Sequence, residues 1–238
     1  MMLSVKANDT VFLVDFDDTL IEAQPDPTNF EIPEDLRFTV QDLSQKPWLR
    51  LIIVTGRSVA QIDQFFHPVR FPIIGCHGCE ARFDTEDASK DIHPVIPEAL
   101  HAQIMSIVQH YPNCRIEDKR YTFAIHACAE DQPLLRGDLD KAIGNHRETY
   151  SLALYGSCFE IKPSSISKGK TIAKILQEEP RFSGLKPVYI GDDVGIDASL
   201  NILLEFGGAL ISVGNAFSEH GFGLKNPLEV RDFLRSIT

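Results

Sequence analysis

A cluster of acidic residues follows the first apolar run of the chain, in the segment from Asp15 to Thr19. Asp15, Asp17 and Asp18 place three carboxylates where the run 11–14 ends, and such a short, wholly apolar run is typical of a strand in a parallel sheet. Ligands bind at the carboxyl ends of these strands. Because crowded carboxylates repel one another, we expect a cation here, and Mg²⁺ suits carboxylate oxygens combined with water and phosphate. A solvated acidic turn is the alternative for this segment taken alone.

A second acidic group follows the apolar residues 188–190 and consists of Asp192 and Asp193, with Asp197 further along. It repeats the arrangement of the first group, in which carboxylates come directly after a buried strand. If the two strands are neighbours in one sheet, Asp192 and Asp15 converge on one metal ion, because parallel strands end at the same edge.

Two other residues are suited to hold a phosphate group. Lys168 stands at the entrance of a predicted helix and offers a point charge. Thr55 ends the second apolar run and offers a hydroxyl beside a helix N-terminus, whose N–H groups favour an anion. Taken singly, Lys168 is more often a surface lysine and Thr55 an ordinary cap. Together with the two acidic groups, they predict a site for phosphoryl chemistry.

Strands and helices alternate near both ends of the chain. This alternation predicts an α/β fold, with a Rossmann-like parallel-sheet core and helices on both faces. The predicted strands are 11–14, 51–54, 71–75, 188–190 and 209–213, and the predicted helices are 33–45, one beginning near Ser58, 170–176, 198–206 and 227–237.

The middle of the chain has a different pattern, typical of an antiparallel sheet with two helices. We therefore expect an inserted α+β cap domain at residues 83–159, within a core domain formed by residues 1–82 and 160–238. The predicted strands of this insertion are 115–119, 121–128, 151–155 and 159–162, and its predicted helices are 97–111 and 132–143.

The composition excludes several classes of function. The 238 residues carry 23 lysines and arginines against 34 aspartates and glutamates, a net charge of −11, which argues against a nucleic-acid or anionic-membrane partner. No apolar run could span a membrane, and the first ten residues lack the apolar core of a signal peptide. The five cysteines are scattered, so we expect reduced thiols in the cytoplasm. Zinc at Cys76, His77 and Cys79 is not expected, because no second Cys/His pair follows at a suitable spacing.

The order of these motifs resembles the haloacid-dehalogenase superfamily of phosphatases, and the insertion resembles its C2 class of cap. Within that superfamily the chain is similar to the trehalose-6-phosphate phosphatases. The segments that carry this second resemblance are Val54–Arg57, Gly75–Glu80, Glu117–Lys119, Phe159–Pro163 and Leu224–Val230.

The resemblance implies a role for each residue of the catalytic core. Asp15 is the nucleophile that forms an aspartyl-phosphate, and Asp17 protonates the leaving sugar oxygen and then takes a proton from water. Neighbouring negative charge is expected to keep Asp17 protonated part of the time. Mg²⁺ is held by Asp15, Asp192 and the backbone carbonyl of Asp17, while Lys168 and Thr55 hold the phosphate oxygens.

Four other residues of the site have less definite roles. Asp193 and Asp197 are expected beside the metal, where Asp193 either binds the ion through water or orients Lys168. Arg57 either steadies the acidic loop or meets the substrate. His77 is interpreted as a structural turn residue rather than a catalyst.

The resemblance also implies sugar contacts from the cap, by Glu117, Lys119 and Glu160. The chain departs from the pattern of the trehalose-type enzymes in three places: Ala127 and Cys128 follow His126, Ser157 follows Gly156, and Gly195 and Ile196 precede Asp197. The expected partner is therefore a small sugar phosphate, with trehalose-6-phosphate first and sucrose phosphate or mannosylphosphoglycerate as alternatives. A non-catalytic module that binds a sugar phosphate is the other alternative. A monomer is favoured.

Overall fold

The computed structural model describes residues 9–22, 24, 30–46, 49–214 and 222–237. Contacts divide the chain into two compact units. The described residues up to Lys90 and from Ser167 onward form the first, called the core unit, and Asp91–Ile166 form the second, called the inserted unit.

The described residues contain twelve strands and six α-helices. In chain order the strands are β1 (Thr10–Asp15), β2 (Arg50–Val54), β3 (Ile73–Gly75), β4 (Glu80–Arg82), β5 (Lys90–Asp91), β6 (Arg115–Asp118), β7 (Phe123–His126), β8 (Tyr150–Tyr155), β9 (Cys158–Pro163), β10 (Lys186–Gly191), β11 (Ala209–Val213) and β12 (Gly223–Leu224). The helices are α1 (Glu34–Ser44), α2 (Val59–Phe66), α3 (Glu98–Val108), α4 (Gln132–Ile143), α5 (Lys168–Glu178) and α6 (Pro227–Ser236). Short 3₁₀ helices occupy Cys76–Gly78, Gly144–His146, Pro180–Phe182 and Ala198–Phe206.

The large sheet has the strand order β12-β11-β10-β1-β2-β3-β4-β5. From β12 to β3 each neighbouring pair is parallel, and β1 lies between β10 and β2. Every residue of β1 is buried, as expected for a strand that helices cover on both faces. The predicted class, a parallel α/β core with an antiparallel insertion, is confirmed.

The edge of this sheet beyond β3 is not parallel, which the sequence analysis does not predict. β4 pairs with β3 in the antiparallel sense, with Ile74 opposite Ala81. The three residues of β4 are too few to show a hydrophobic period, and a charged residue stands at each end. Only the tertiary contacts of these charges, such as the bidentate pair between Arg82 and Asp63, explain why they are buried.

The segment Ala198–Phe206 is helical as predicted, but it is a 3₁₀ helix. Its buried leucines, Leu200 and Leu203, are three residues apart. That spacing places both on one side of a helix with three residues per turn. Asp197 caps its start by accepting a hydrogen bond from the backbone N–H of Ser199, and Gly207 ends it in a left-handed conformation.

The inserted unit has its own antiparallel sheet, in the order β6-β7-β9-β8. Its apolar cluster includes Leu100 and Ile104 of α3, Leu135 and Leu139 of α4, and Phe159 of the sheet. No helix among the described residues has both the length and the hydrophobicity that crossing a membrane requires.

The sequence predicts an insertion at 83–159, whereas the contacts place it at Asp91–Ile166. At the first boundary, Arg181 donates a hydrogen bond to the carbonyl of Phe83, which ties this residue to the core unit. At the second boundary, β9 pairs with β8 as far as Pro163 opposite Tyr150, so the residues just after 159 belong to the sheet of the inserted unit.

Candidate active site

Three aspartates from two neighbouring strands meet at one edge of the large sheet. β1 ends at Asp15, β10 ends just before Asp192, and the two strands are paired in parallel. Asp15, Asp192 and Asp193 each place one carboxylate oxygen within 4.8 Å of the others. The convergence of Asp15 with Asp192 thus follows from the strand order, in which β1 and β10 are neighbours.

Lys168 lies against this cluster from the start of α5. Its Nζ is 2.9 Å from Oδ2 of Asp15 and 2.8 Å from Oδ2 of Asp193, and the side chain is almost wholly buried. Ser167 caps the helix by accepting a hydrogen bond from the backbone N–H of Lys170, which fixes where α5 begins. Asp193 therefore contacts Lys168 directly, as a role in orienting that lysine requires.

Tyr189 completes this group, and the sequence analysis does not predict it. Its hydroxyl lies 3.3 Å from Nζ of Lys168 and donates a hydrogen bond to Oδ1 of Asp193 at 2.9 Å. The available signal is a hydroxyl-bearing residue inside the apolar run of β10, two residues before Gly191. A Cβ at position 191 would lie 2.6 Å from the tyrosine ring, so glycine makes room for it.

The charges of the cluster are not balanced in the protein alone. Burial raises the pKa of Asp15 to about 8, although the ammonium of Lys168 opposes this shift. Burial and the charge of Asp193 also raise the pKa of Asp192. Burial alone would lower the pKa of Lys168, but attraction to Asp15, and then to Tyr189 and Asp193, raises it well above its usual range. One buried lysine thus faces three carboxylates, and a further cation would relieve their repulsion.

The donor set fits a hard divalent cation. All three groups are carboxylates, which are the ligands that Mg²⁺ and similar ions prefer, and one oxygen from each is already close to the other two. This fit rests on Asp15 and Asp192, with the carboxylate of Asp193 beside them.

Asp17 points to a different partner. Its carboxylate accepts hydrogen bonds from Nε of Arg57 at 2.9 Å and from Nη2 at 2.6 Å. The guanidinium of Arg57 is buried and lies 5.2–5.5 Å from the ring centres of Phe16, Phe30 and Phe65. The side chain of Asp17 is thus paired with a cation on the next strand-end loop, a contact that the sequence does not predict. This contact is the one that a role in steadying the acidic loop requires.

Thr55 and Thr19 connect the loops that carry the charges. Thr55 is buried at the end of β2, and its Oγ1 accepts a hydrogen bond from the backbone N–H of Arg57 at 3.1 Å. Oγ1 of Thr19 accepts one from the backbone N–H of Asp192 at 3.1 Å, which ties the first acidic loop to the second.

Asp197 has a structural role in the second acidic loop. It caps the 3₁₀ helix, and its backbone N–H donates a hydrogen bond to the carbonyl of Asp193 at 2.9 Å.

The polar residues of the inserted unit share one face of its sheet. Glu117 of β6 and Glu160 of β9 are both opposite Ala124 of β7, and all three therefore point to the same side. Nε2 of His126 lies 2.8 Å from Oε1 of Glu117, and Nζ of Lys119 lies 4.0 Å from Oε2 of the same carboxylate. The predicted sugar-contacting residues Glu117, Lys119 and Glu160 are thus held within one unit.

His126 belongs to this polar face and links two of its strands. Hydrogen bonds with Cys158 and Glu117 raise the pKa of His126 to about 9. Although burial would raise the pKa of Glu117, the hydrogen bond with His126 and the charge of Lys119 lower it. The face therefore carries an imidazolium at neutral pH, at a place where the sequence shows a departure from the trehalose-type pattern.

The fold and the site together define a phosphatase of the haloacid-dehalogenase superfamily. Its characteristic features are the acidic ends of β1 and β10, the lysine that begins α5 and the α+β insertion between them. The sequence model of the trehalose-phosphatase family matches residues 13–202, and the chain belongs to this family.

Known proteins similar to this chain support the assignment. The trehalose-6-phosphate phosphatase of Escherichia coli (strain K12) is 29% identical over 231 residues, which cover 94% of this chain and 85% of that protein. A probable trehalose-phosphate phosphatase of Sinorhizobium fredii is 30% identical over 214 residues, 89% of this chain and 80% of that protein. Among solved structures, the C-terminal domain of C. albicans trehalose-6-phosphate phosphatase has a TM-score of 0.78 over 97% of this chain and 92% of that chain, at 18% identity, so it supports the fold.

Proposed function

We propose that this chain is a Mg²⁺-dependent phosphatase that hydrolyses trehalose-6-phosphate to trehalose and phosphate. The observation that carries the proposal is the buried contact of Lys168 with both Asp15 and Asp193, at 2.9 and 2.8 Å, inside a chain of the trehalose-phosphatase family. Three carboxylates around one buried lysine repel one another and destabilise the fold, so their presence is explained by binding of a cation and a substrate.

Asp15, Asp192 and the backbone carbonyl of Asp17 are the groups proposed to hold Mg²⁺. When bound, the ion would neutralise charge on the carboxylates and on the phosphoryl oxygens. Asp193 is proposed to orient Lys168 rather than to bind the ion, because its two carboxylate oxygens already contact Lys168 and Tyr189.

Asp15 is the proposed nucleophile. Its carboxylate oxygen forms a bond to phosphorus as the bond from phosphorus to the sugar oxygen breaks, and water then cleaves the resulting acyl-phosphate. The buried ammonium of Lys168 and the hydroxyl of Thr55 would hold the phosphoryl oxygens in line for both steps. Most of the acceleration therefore comes from positioning and electrostatics.

Asp17 is the proposed acid and base for the two steps. It gives a proton to the departing sugar oxygen and later takes one from the attacking water. The hydrogen bonds from Arg57 suit the ionised carboxylate that the second step requires, so they are looser while Asp17 carries the proton for the first step and tighten once that proton is donated. Arg57 therefore positions Asp17 and does not itself touch the reacting atoms.

The sugar is proposed to bind the polar face of the inserted unit through Glu117, Lys119 and Glu160. Carboxylates suit sugar hydroxyls because each oxygen accepts hydrogen bonds. The imidazolium of His126 adds a positive charge to this face. Cytoplasmic localisation and a monomeric state remain predictions from the sequence.

A substrate panel tests the proposal. The purified chain is given trehalose-6-phosphate, sucrose phosphate and mannosylphosphoglycerate, with Mg²⁺ or with a chelator, and released phosphate is measured. We expect Mg²⁺-dependent release that is fastest with trehalose-6-phosphate. Asp15→Asn should abolish release and retain the fold, whereas the matched control Asp232→Asn, at an exposed position of α6, should leave both unchanged.

The possible results separate the alternatives. Faster phosphate release from sucrose phosphate or mannosylphosphoglycerate would make that compound the substrate and leave the proposed reaction mechanism unchanged. Absence of release from every sugar phosphate would support the non-catalytic module instead. More than a trace of activity in Asp15→Asn would remove the covalent mechanism.

A further inference from the structure

The 3₁₀ turn Cys76–Gly78 has an unusual backbone for its residue types. Cys76 has φ 48° and His77 has φ 57°, both in the left-handed region that residues other than glycine rarely adopt. Such a conformation persists only where the surrounding structure enforces it, and it is enriched at functional sites. None of the proposed catalytic residues belongs to this turn.

The turn is bonded to the loop that carries Thr55. The backbone N–H of Cys76 donates to the carbonyl of Arg57 at 2.8 Å, and that of His77 donates to the carbonyl of Thr55 at 3.0 Å. The imidazole of His77 lies directly over Gly56. A Cβ at position 56 would be 2.6 Å from Cε1 and 2.7 Å from Nε2 of that ring.

The other side of the turn packs against the helix that carries Lys168. Gly78, with φ 109°, faces Thr171 in the first turn of α5, and a Cβ at position 78 would lie 2.4 Å from Oγ1 of Thr171. The turn thus lies between the loop of Thr55 and the first turn of α5.

Hydrogen bonds to Glu80 connect the turn to the start of α2. Oε1 of Glu80 accepts hydrogen bonds from the backbone N–H of Val59 at 2.9 Å and from Sγ of Cys76 at 3.3 Å. Since Val59 is the first residue of α2, the turn, the Thr55 loop and the start of α2 are joined by hydrogen bonds.

From these contacts we propose that His77 is a positioning residue: its ring, packed on Gly56, sets where the Thr55 hydroxyl and the Arg57 guanidinium stand relative to Lys168. This role of His77 rests on the proposed function, in which Thr55 and Lys168 hold the phosphoryl group. His77 acts through the backbone of residues 55–57. Removing the ring therefore lowers kcat, while the sugar contacts that determine KM are retained.

A paired substitution tests the contact. Gly56→Ala puts a methyl group into the ring of His77, and we expect it to lower kcat about tenfold or more, with KM within about threefold, since small misplacements of reacting groups cost this much. His77→Gly keeps the left-handed backbone and removes the ring. In the His77→Gly background, Gly56→Ala should lower kcat less than about threefold, because the space of the His77 ring is now free. Gly137→Ala, where nothing lies within 4 Å, is the matched control and should change neither parameter.

A conservative variant provides the second readout. His77→Asn retains a residue type that tolerates the left-handed backbone, so it should fold like the wild type and still lower kcat about threefold to tenfold. Unchanged kcat in His77→Asn overturns the proposal, as does a Gly56→Ala defect of equal size in both backgrounds. A rise in KM alone would also overturn it, by making His77 a substrate contact.

Failure of the proposed function is recognised separately. If the wild type releases no phosphate from any sugar phosphate, the contact is judged on the melting temperature. A Gly56→Ala decrease that is clearly smaller in the His77→Gly background supports the packing of the ring on Gly56, and equal decreases overturn it.

Discussion

Replacing Tyr189 with phenylalanine tests the buried network around Lys168. The tyrosine is fully buried, and its hydroxyl contacts Nζ of Lys168 at 3.3 Å and Oδ1 of Asp193 at 2.9 Å. Phenylalanine has the same shape without the hydroxyl, so the packing of β10 is retained. What is lost is one hydrogen bond to a carboxylate and one contact with an ammonium.

The expected magnitude follows from these contacts. A hydrogen bond to a charged group contributes about 1.5–3 kcal/mol. Because the Asp193 side chain keeps 21% of its surface exposed, water can replace part of this bond, and we expect a loss near the lower end, about 1.5 kcal/mol. For a chain of this size, the melting temperature should fall by about 3–6 °C.

The effect on catalysis should be smaller but measurable. Lys168 keeps its contacts with Asp15 and Asp193 at 2.9 and 2.8 Å, so it stays in place but is less restrained. We expect kcat for trehalose-6-phosphate to fall about three- to tenfold, which corresponds to about 1 kcal/mol of transition-state stabilisation. Thermal unfolding without metal and steady-state phosphate release with Mg²⁺ measure the two effects.

Tyr111→Phe is the matched control. The hydroxyl of Tyr111 donates to Oδ2 of Asp138 at 2.8 Å, a bond of the same type within the inserted unit. Because water replaces this partly exposed bond, its removal should lower the melting temperature less than Tyr189→Phe does and leave kcat unchanged. If Tyr189→Phe and Tyr111→Phe have the same kcat, or if Tyr189→Phe melts like the wild type, the reasoning about this network is refuted.

Three further predictions concern pH and the acidic loop. Because the pKa of Asp15 is about 8 in the metal-free protein, Mg²⁺ must displace a proton below that pH, and its affinity should rise by up to about tenfold per pH unit from pH 6 to 8 in calorimetric titrations. The pKa of His126 is raised from 6.5 to about 9. The charged imidazole therefore stabilises the fold fully below about pH 6.5, and this stabilisation is lost as the pH rises through 9. The difference in urea stability between the wild type and His126→Gln should decrease over the same pH range. Arg57→Lys should lower kcat about 10- to 100-fold, since lysine cannot make the paired hydrogen bonds to Asp17.

Each of these predictions has a result that would contradict it. Magnesium affinity that is constant from pH 6 to 8, with no proton released on binding, would mean that Asp15 is already ionised. A His126→Gln difference that persists unchanged at pH 10 would place the stabilisation in packing rather than in charge. Full activity of Arg57→Lys would show that Asp17 does not depend on the bidentate pair.

The strands and the acidic groups could be predicted because both signals are local. The apolar runs 11–14 and 188–190 each lead into aspartates, and the rule that parallel strands end at one edge then brings Asp15 and Asp192 together. Lys168 could be predicted as a helix-start residue for the same reason. These inferences require only the order of residues along single segments.

The pairings between segments could not be read in the same way. Arg57 and Asp17 are forty positions apart in sequence, and nothing near either residue shows that they are hydrogen-bonded to each other. Tyr189 looks like any aromatic residue of a buried strand until its hydroxyl is placed beside Lys168. The left-handed backbone of His77 depends on contacts with the Thr55 loop, which no local pattern encodes.

The separate packing of the inserted unit has a consequence for how such proteins diverge. Its apolar cluster is built from α3, α4 and its own sheet, whereas the residues proposed to break the phosphate ester are held by β1, β10 and α5. We therefore expect mutations on the polar face with Glu117 and Glu160 to leave the arrangement of Asp15 and Lys168 intact, because each unit has its own apolar cluster. If this face binds the sugar, as proposed, selection can change which sugar is accepted and retain the reaction.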